Sequence, residues 1–255
     1  MPSFKDHFSG HAGDYRAFRP SYPDGLAAAL ADAAPSTGLA WDAGCGNGQF
    51  STALAARFAA VHATDASADQ IARAEAHDRV RYAVAPAEDI GLSDGGLPDG
   101  CCDLIVAAQA AHWFDLPRFY AEVRRVAKPA AAVALVCYAL QRLDDPALDA
   151  AVERFHNGTL GPHWPADRWK VVNGYRDLDF PFPALPVPPL AMEALWSLPR
   201  LLGYMSTWSG VKAAARATGR NPLEEFAEEI APLWGDPETE RRIRWPLTVL
   251  LGQVG

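Results

Sequence analysis

The chain has 255 residues, 49% hydrophobic and 21% charged, with 31 acidic against 23 basic residues and a formal net charge of -8. That length buries one sizeable core, as a single enlarged domain or a domain with a cap. The acidic balance argues against nucleic acid or an anionic membrane as the main partner, because binding phosphates needs a surplus of Lys and Arg.

Cysteine usage and the ends of the chain narrow the class further. Cys45, Cys101, Cys102 and Cys137 make no C-x-x-C pair, and no histidine cluster stands at zinc spacing, so no metal site and no disulfide framework is signalled. Met1 leads into a polar, aromatic segment with no basic region followed by an apolar run. The longest apolar stretch, 130–139, is too short to span a bilayer. The expected compartment is the cytoplasm.

In chain order, 23–34 reads as a short helix closed by Pro35 and Gly38, and 39–43 as a strand ending at a glycine cluster. Helical spacing follows over 50–58, a second strand over 60–64, and a helix from Ser67 to about Ala76, where Ser67-x-x-Gln70 resembles a capping box. Residues 80–85 alternate as a third strand, 94–100 form a polar, Gly-rich loop, and 102–108 are a fully apolar fourth strand. A helical stripe over 119–126 precedes a fifth strand at 132–138. Strand and helix alternating at this rhythm imply right-handed crossovers and a parallel sheet covered on both faces, a Rossmann-like α/β fold.

After about residue 144 the rhythm breaks. Residues 146–156 read as helix, 158–189 are rich in Pro and Trp with a strand expected near 175–180, 192–218 and 222–234 read as helices, and 245–251 as a last strand. The expected organisation is an N-terminal lid and helix (1–35), a cofactor-binding core (36–145) and a C-terminal part (146–255). The last part completes a mostly parallel central sheet and inserts a helical cap over about 183–243.

The strongest chemical signal is Trp41-Asp42-Ala43-Gly44-Cys45-Gly46-Asn47-Gly48, placed after a strand and before a helix. Glycines let the backbone turn sharply and approach a ligand that a Cβ would push away. Asp42 ends the strand, where open α/β sheets bind ligands, and Asp65 ends the next one, where a carboxylate can take both hydroxyls of a ribose. Dinucleotide folds favour G-x-G-x-x-G facing a pyrophosphate, whereas here the order is Gly44-x-Gly46-x-Gly48 behind an acid. That carboxylate repels a phosphate and attracts an ammonium, so the implied ligand has a ribose and a cation.

On these residues, 41–138 resembles the core of the class I S-adenosylmethionine-dependent methyltransferases, the type 11 group. Residues 8–23, the run Ala108-Gln109-Ala110-Ala111-His112-Trp113-Phe114-Asp115, Leu202 to Ser209 and Trp245-Pro246-Leu247 resemble the branch containing trans-aconitate methyltransferase-like proteins. The resemblance implies S-adenosylmethionine as cofactor. It implies that Asp42, Gly44, Cys45, Gly46 and Gly48 line the methionine and ribose, that Asp65 holds the ribose, and that Ala66 and Ser67 pass beside the adenine. Ala87 and Glu88 would close over the adenine edge, and Gln109 would begin the segment beneath the methionine. Tyr15, Arg19 and Tyr22 would belong to a lid over the cofactor, Arg19 pairing with the cofactor carboxylate. His112 and Trp113 would lie near the transferring methyl, with Tyr22, Tyr204 and Trp208 also facing the acceptor. Arg16, Arg200, Lys212 and Arg216 are candidate anchors for an acidic acceptor.

Two positions depart from the family pattern. Pro86 stands where many relatives carry an acid before the Ala-Glu pair, and Lys128-Pro129-Ala130-Ala131 replaces Lys-Pro-Gly-Gly. Alanine tolerates positive φ poorly, so that turn is expected to be drawn differently. The implied reaction is in-line methyl transfer to a small molecule, with His112 the candidate acid-base group and a carboxylate among the acceptor classes. An NAD-dependent oxidoreductase and a noncatalytic cofactor-binding protein are the alternative readings.

Overall fold

The computed structural model describes residues 18–91 and 96–255. A first helix, α1 (Asp24–Ala33), carries Asp24 in its positively polarised first turn and buries Leu26, Ala27 and Leu30, which share one face at helical spacing. Strands β1 (Leu39–Ala43), β2 (Ala60–Asp65), β3 (Val80–Val84), β4 (Cys102–Ala108) and β5 (Ala127–Tyr138) form the parallel part of the main sheet. β4 is buried along almost its whole length and β5 from Ala131 onward, as apolar runs covered on both faces require.

Helix α2 (Gln49–Ala55) follows β1, α3 (Ala68–Ile71) follows β2, and α4 (Leu116–Val126) links β4 to β5. Asp115 caps α4 by accepting from the Arg118 amide, and Phe119, Tyr120, Val123 and Val126 give the helix its buried face. Ser67 caps α3 as its spacing suggests, but the helix stops at Ile71. Residues 72–79 offer nothing larger than alanine to a core, so no packing extends a second turn.

The strand order of the main sheet is β3-β2-β1-β4-β5-β9, with β9 (Leu247–Gln253) antiparallel to β5. The order reverses between β1 and β4, whose carboxyl ends lie side by side, Asp42 opposite Val106. Open sheets of this kind bind ligands at such a switch point.

At the opposite end of the sheet, Asp103 is fully buried and accepts from Lys128 Nζ (2.8 and 2.9 Å), Ser36 Oγ (2.6 Å) and the amides of Gly38 and Leu39. Burial raises this carboxyl, but the Lys128 charge and the hydrogen bonds outweigh it and hold it below the usual range. Here one expectation fails. The turn at Ala130 keeps a glycine-like conformation, φ 61°, and the strained alanine is accommodated where the β4–β5 register shifts from Cys102–Ala127 to Leu104–Ala132.

The C-terminal part is not the purely helical cap expected. β6 (Arg142–Leu143), β7 (Met192–Trp196) and β8 (Arg241–Trp245) form a second, antiparallel sheet in the order β6-β8-β7. Around it stand α5 (Pro146–Arg154), α6 (Arg168–Val172), α7 (Leu198–Ser206), α8 (Ser209–Thr218) and α9 (Pro222–Trp234). The stretch 192–218 therefore begins as a strand and then divides at Thr207 and Trp208 into two helices. The last strand starts earlier than read and is cut by Pro246, which has no amide to donate; the chain passes there from the small sheet to the main one.

No strand forms at 175–180. Gly174 (φ 61°) and Tyr175 (φ 58°) are both left-handed and turn the chain instead. The contact with β9 comes later, where Ala184 bridges Gly252 and the Leu185 amide donates to the Leu251 carbonyl; the surrounding prolines prevent a longer ladder. The helix read over 146–156 ends at Arg154 and widens into a π turn over Phe155–Thr159.

Candidate active site

All three glycines of the loop take positive φ: 70° at Gly44, 56° at Gly46 and 84° at Gly48. Their surroundings differ. A Cβ on Gly44 would sit 2.5 Å from that of Ala110, and one on Gly48 would strike the Tyr82 ring, so these two fasten the loop to β3 and to the chain beyond β4. A Cβ on Gly46 would meet nothing within 4 Å among the described residues. Gly46 is thus the point at which bare backbone faces open space at the switch point.

Asp65 holds this loop from β2. Its two oxygens accept from the amides of Gly46 (2.8 Å) and Ser67 (2.8 Å), while the Thr64 carbonyl accepts from the amides of Gly44 and Cys45. Ala66 is half-buried beside it and Ser67 is buried. Asp42 is 1% exposed; one oxygen accepts from Ser51 Oγ at 2.6 Å and the other, Oδ1, has no partner. Burial, only partly offset by the Ser51 hydrogen bond and reinforced by the Asp65 charge, raises this carboxyl to about 7. Burial and the two acids also push the Cys45 thiol well up, so it stays protonated. An exposed backbone notch, an unpartnered buried acceptor and a strand-end carboxylate fit a cofactor that brings a ribose and an ammonium.

Gln109 directly follows β4 with φ 55°, a strained conformation for a non-glycine residue of the kind that collects at functional sites. Its Nε2 donates to the Tyr138 carbonyl at 3.0 Å, leaving Oε1 buried and without a partner. His112 follows in a 3-10 turn, buried, with Nδ1 2.9 Å from the Tyr175 hydroxyl and its ring 4.8 Å from that of Trp113. Burial, followed by the charges of Arg168 and Lys170, lowers this imidazole to about 3, so it is neutral at neutral pH and a weak base. Ala87 is buried; Glu88 Oε1 accepts from the Asp115 amide at 2.8 Å and ties the loop after β3 to the start of α4.

Of the lid residues, Tyr15 and Arg16 lie outside the described residues. Arg19 donates to the Tyr138 hydroxyl at 2.8 Å, at the carboxyl end of β5, and Tyr22 packs on Phe50 (4.9 Å) and Tyr138 (6.1 Å). Phe18 presses on Gly203 of α7, so this segment runs between sheet and cap. Tyr204 and Trp208 are buried and meet edge to face at 5.6 Å across the α7–α8 break, each also packed on cap aromatics. Arg200 lies exposed over the Trp196 ring and Arg216 is exposed on α8, so neither is aimed at His112.

Sequence reasoning missed Ser51, Tyr138, His156, Arg168 and Tyr175. Ser51 had a usable signal, its place one helical turn inside α2 behind the acidic strand end. A lone arginine or tyrosine in a Pro- and Trp-rich stretch carries none. Among the described residues, no group of three His, Cys, Asp or Glu side chains could hold a metal ion, and no helix is long and apolar enough to cross a membrane.

A reversed strand order, an open glycine notch and a carboxylate on the neighbouring strand define a nucleoside-cofactor site in a Rossmann-like fold. Comparison with known proteins specifies it. Residues 41–135 match the family described as "Methyltransferase domain". A Dictyostelium discoideum protein named as a methyltransferase is 30% identical over 257 residues, covering 98% of this chain and 95% of its own. A solved type II methyltransferase from Anaeromyxobacter dehalogenans is 49% identical with TM-score 0.84, covering 93% of this chain and 98% of that one. A malonyl-[acyl-carrier protein] O-methyltransferase of Pectobacterium atrosepticum is 35% identical over 100 residues, 38% of each chain. The chain belongs to the class I S-adenosylmethionine-dependent methyltransferases, and S-adenosylmethionine is its cofactor.

Proposed function

We propose that the enzyme methylates a carboxylate oxygen of a small acid. The observation that carries this reading is the charge around His112. Arg168, Lys170 and Arg19 all disfavour a proton on its imidazole, and the one acid that favours it, Asp167, is paired with Lys170 at 2.8 Å. A hydroxyl or amine acceptor needs a base to take its proton, and a neutral, weakly basic imidazole in a cationic setting is poorly suited to that. A carboxylate arrives already ionised, and the same positive field attracts it. The Pectobacterium relative, an O-methyltransferase acting on a malonyl group, supports the choice of oxygen.

In this reading Gly44, Gly46 and Gly48 give the cofactor its backbone cradle, and Asp65 holds the ribose. Ala66, Ser67, Ala87 and Glu88 border the adenine. Asp42 and Gln109 offer their unpartnered oxygens to the ammonium. When bound, S-adenosylmethionine supplies an electrophilic methyl on a sulfonium. His112, Trp113, Tyr22, Tyr204 and Trp208 wall the acceptor and exclude water, which would otherwise solvate the carboxylate and blunt it. The four free thiols, two of them adjacent with sulfurs 3.6 Å apart, fit a reducing compartment such as the cytoplasm.

The test uses S-adenosylmethionine labelled in the methyl group, incubated with the enzyme and a protein-free pool of small organic acids. The expected product is an ester, so mild base releases the label as volatile methanol. Label that stays on the product through base treatment would contradict carboxylate methylation.

A further inference from the structure

Arg168, the first residue of α6, is half-buried, and no hydrogen bond or ion pair holds its guanidinium among the described residues. Its Nε is buried without a partner. Burying a cation without a counter-charge costs free energy, and proteins retain one chiefly where a ligand supplies the missing charge. The guanidinium lies over the ring of Trp164, 4.9 Å from its centroid, so its flat fork is held in a set orientation. After burial, the groups that act on it are Tyr204, Arg19, Tyr138 and Cys137, at the join of sheet and cap.

A second observation falls on the same indole. His156, in the π turn, packs tilted against Trp164 at 4.7 Å and meets Trp208 edge-on at 5.7 Å. Its Nδ1 bonds to Asn157 Oδ1 at 2.7 Å, and its Nε2 is buried with no partner. Trp164 itself is seated by Gly210, where a Cβ would come within 2.9 Å of the ring, and by a hydrogen bond from Nε1 to the His156 carbonyl (2.9 Å). Two unsatisfied polar side chains therefore share one fixed aromatic wall. π turns of this type recur at functional sites.

We infer that Arg168, with His156 and Trp164, forms the anion-binding subsite that selects and orients the methyl acceptor. The inference rests on the carboxylate reading above and names the side chain that enforces it. A single flat guanidinium matches the two oxygens of a carboxylate better than a phosphate dianion, which calls for more donors than this wall provides. Arg168 acts here as a specificity and positioning residue for the acceptor.

The experiment is calorimetric titration of enzyme saturated with S-adenosylhomocysteine, using butyrate, succinate and benzoate, with butyramide and inorganic phosphate as comparison probes. At least one carboxylate should bind, butyramide should not, and phosphate should bind more weakly than the carboxylate. Arg168→Gln should weaken carboxylate binding at least tenfold, Arg168→Lys should restore part of it, and the surface control Arg200→Gln should change nothing. Melting of the ligand-free Arg168→Gln protein separates a binding role from a structural one, since relieving an uncompensated cation leaves its Tm unchanged or raised. No carboxylate binding by the parent, unchanged binding in Arg168→Gln, stronger binding of phosphate, or a sharply lowered Tm would each overturn the inference. S-adenosylhomocysteine affinity is read in the same titrations. Its loss in Arg168→Gln alone would reassign Arg168 to the cofactor and so overturn the inference, whereas its absence in the parent enzyme would instead count against the cofactor site.

Discussion

Asp42 joins two demands that pull against each other. Its burial holds the folded-state carboxyl near 7, far above its ordinary value of 3.8, so the folded chain binds an extra proton between those limits. The sign follows: the stability gained from the protonated form is complete below the ordinary value and is lost as pH rises through about 7. An ammonium placed against Oδ1 favours the ionised form, so cofactor binding should release a proton near neutrality and tighten between about pH 6 and pH 8. Calorimetry across that range should show this slope, and Asp42→Asn should flatten it while raising the Tm of the ligand-free protein at the alkaline end. An unchanged slope in the variant would remove Asp42 from the ammonium site. Asp42 and Asp65 were legible in the sequence because each sits at a strand end beside a glycine turn or at a set distance from it. Arg168 was not, since its meaning lies in what surrounds it in space: an indole, a second unsatisfied side chain and, among the described residues, no ion-pair partner.

Among the elements, β5 holds an alanine in a conformation suited to glycine. Ala130 holds φ 61°, where a side chain costs about 1 kcal/mol relative to glycine. Ala130→Gly should therefore stabilise the protein by up to about 1 kcal/mol in urea unfolding, less what glycine returns to the unfolded chain as entropy. Cofactor affinity should not change, because this turn sits at the Asp103–Lys128 end of the sheet. A destabilised variant would show that the alanine methyl makes a contact worth more than the strain. The sequence argument foresaw a conflict here and resolved it the wrong way, since local preference yields when β4 and β5 must reach their pairing beyond the bulge. The same limit explains β7: its apolar residues fit a helix stripe as well as a strand, and only the facing edge of β8 decides.

For the molecule as a whole, the strand and helix rhythm up to Tyr138 was readable because each parallel strand is an apolar run with its own crossover helix. The cap was not, because its aromatics pack on one another across four helices and a small sheet, with no period to betray the register. Trp196, Tyr204, Trp208, Trp234 and Trp245 form a continuous core with Phe18 and Tyr22 against its edge. In the proposed reading the acceptor space is walled by the cap together with Phe18 and Tyr22, while the glycine cradle stands at the end of the main sheet. This division lets one substitution test the cradle without disturbing the cap.

That test is calorimetric titration of S-adenosylhomocysteine and NADH into the parent protein and into Gly46→Ala. A Cβ at Gly46 meets nothing within 4 Å among the described residues, so the variant should remain folded, with a loss of about 1 kcal/mol from its positive φ. The account predicts micromolar binding of S-adenosylhomocysteine by the parent, no heat with NADH, and binding weakened at least tenfold in the variant, whose added methyl fills the notch meant for the ligand. Binding that survives in a folded Gly46→Ala protein, or binding of NADH in place of S-adenosylhomocysteine, would contradict it.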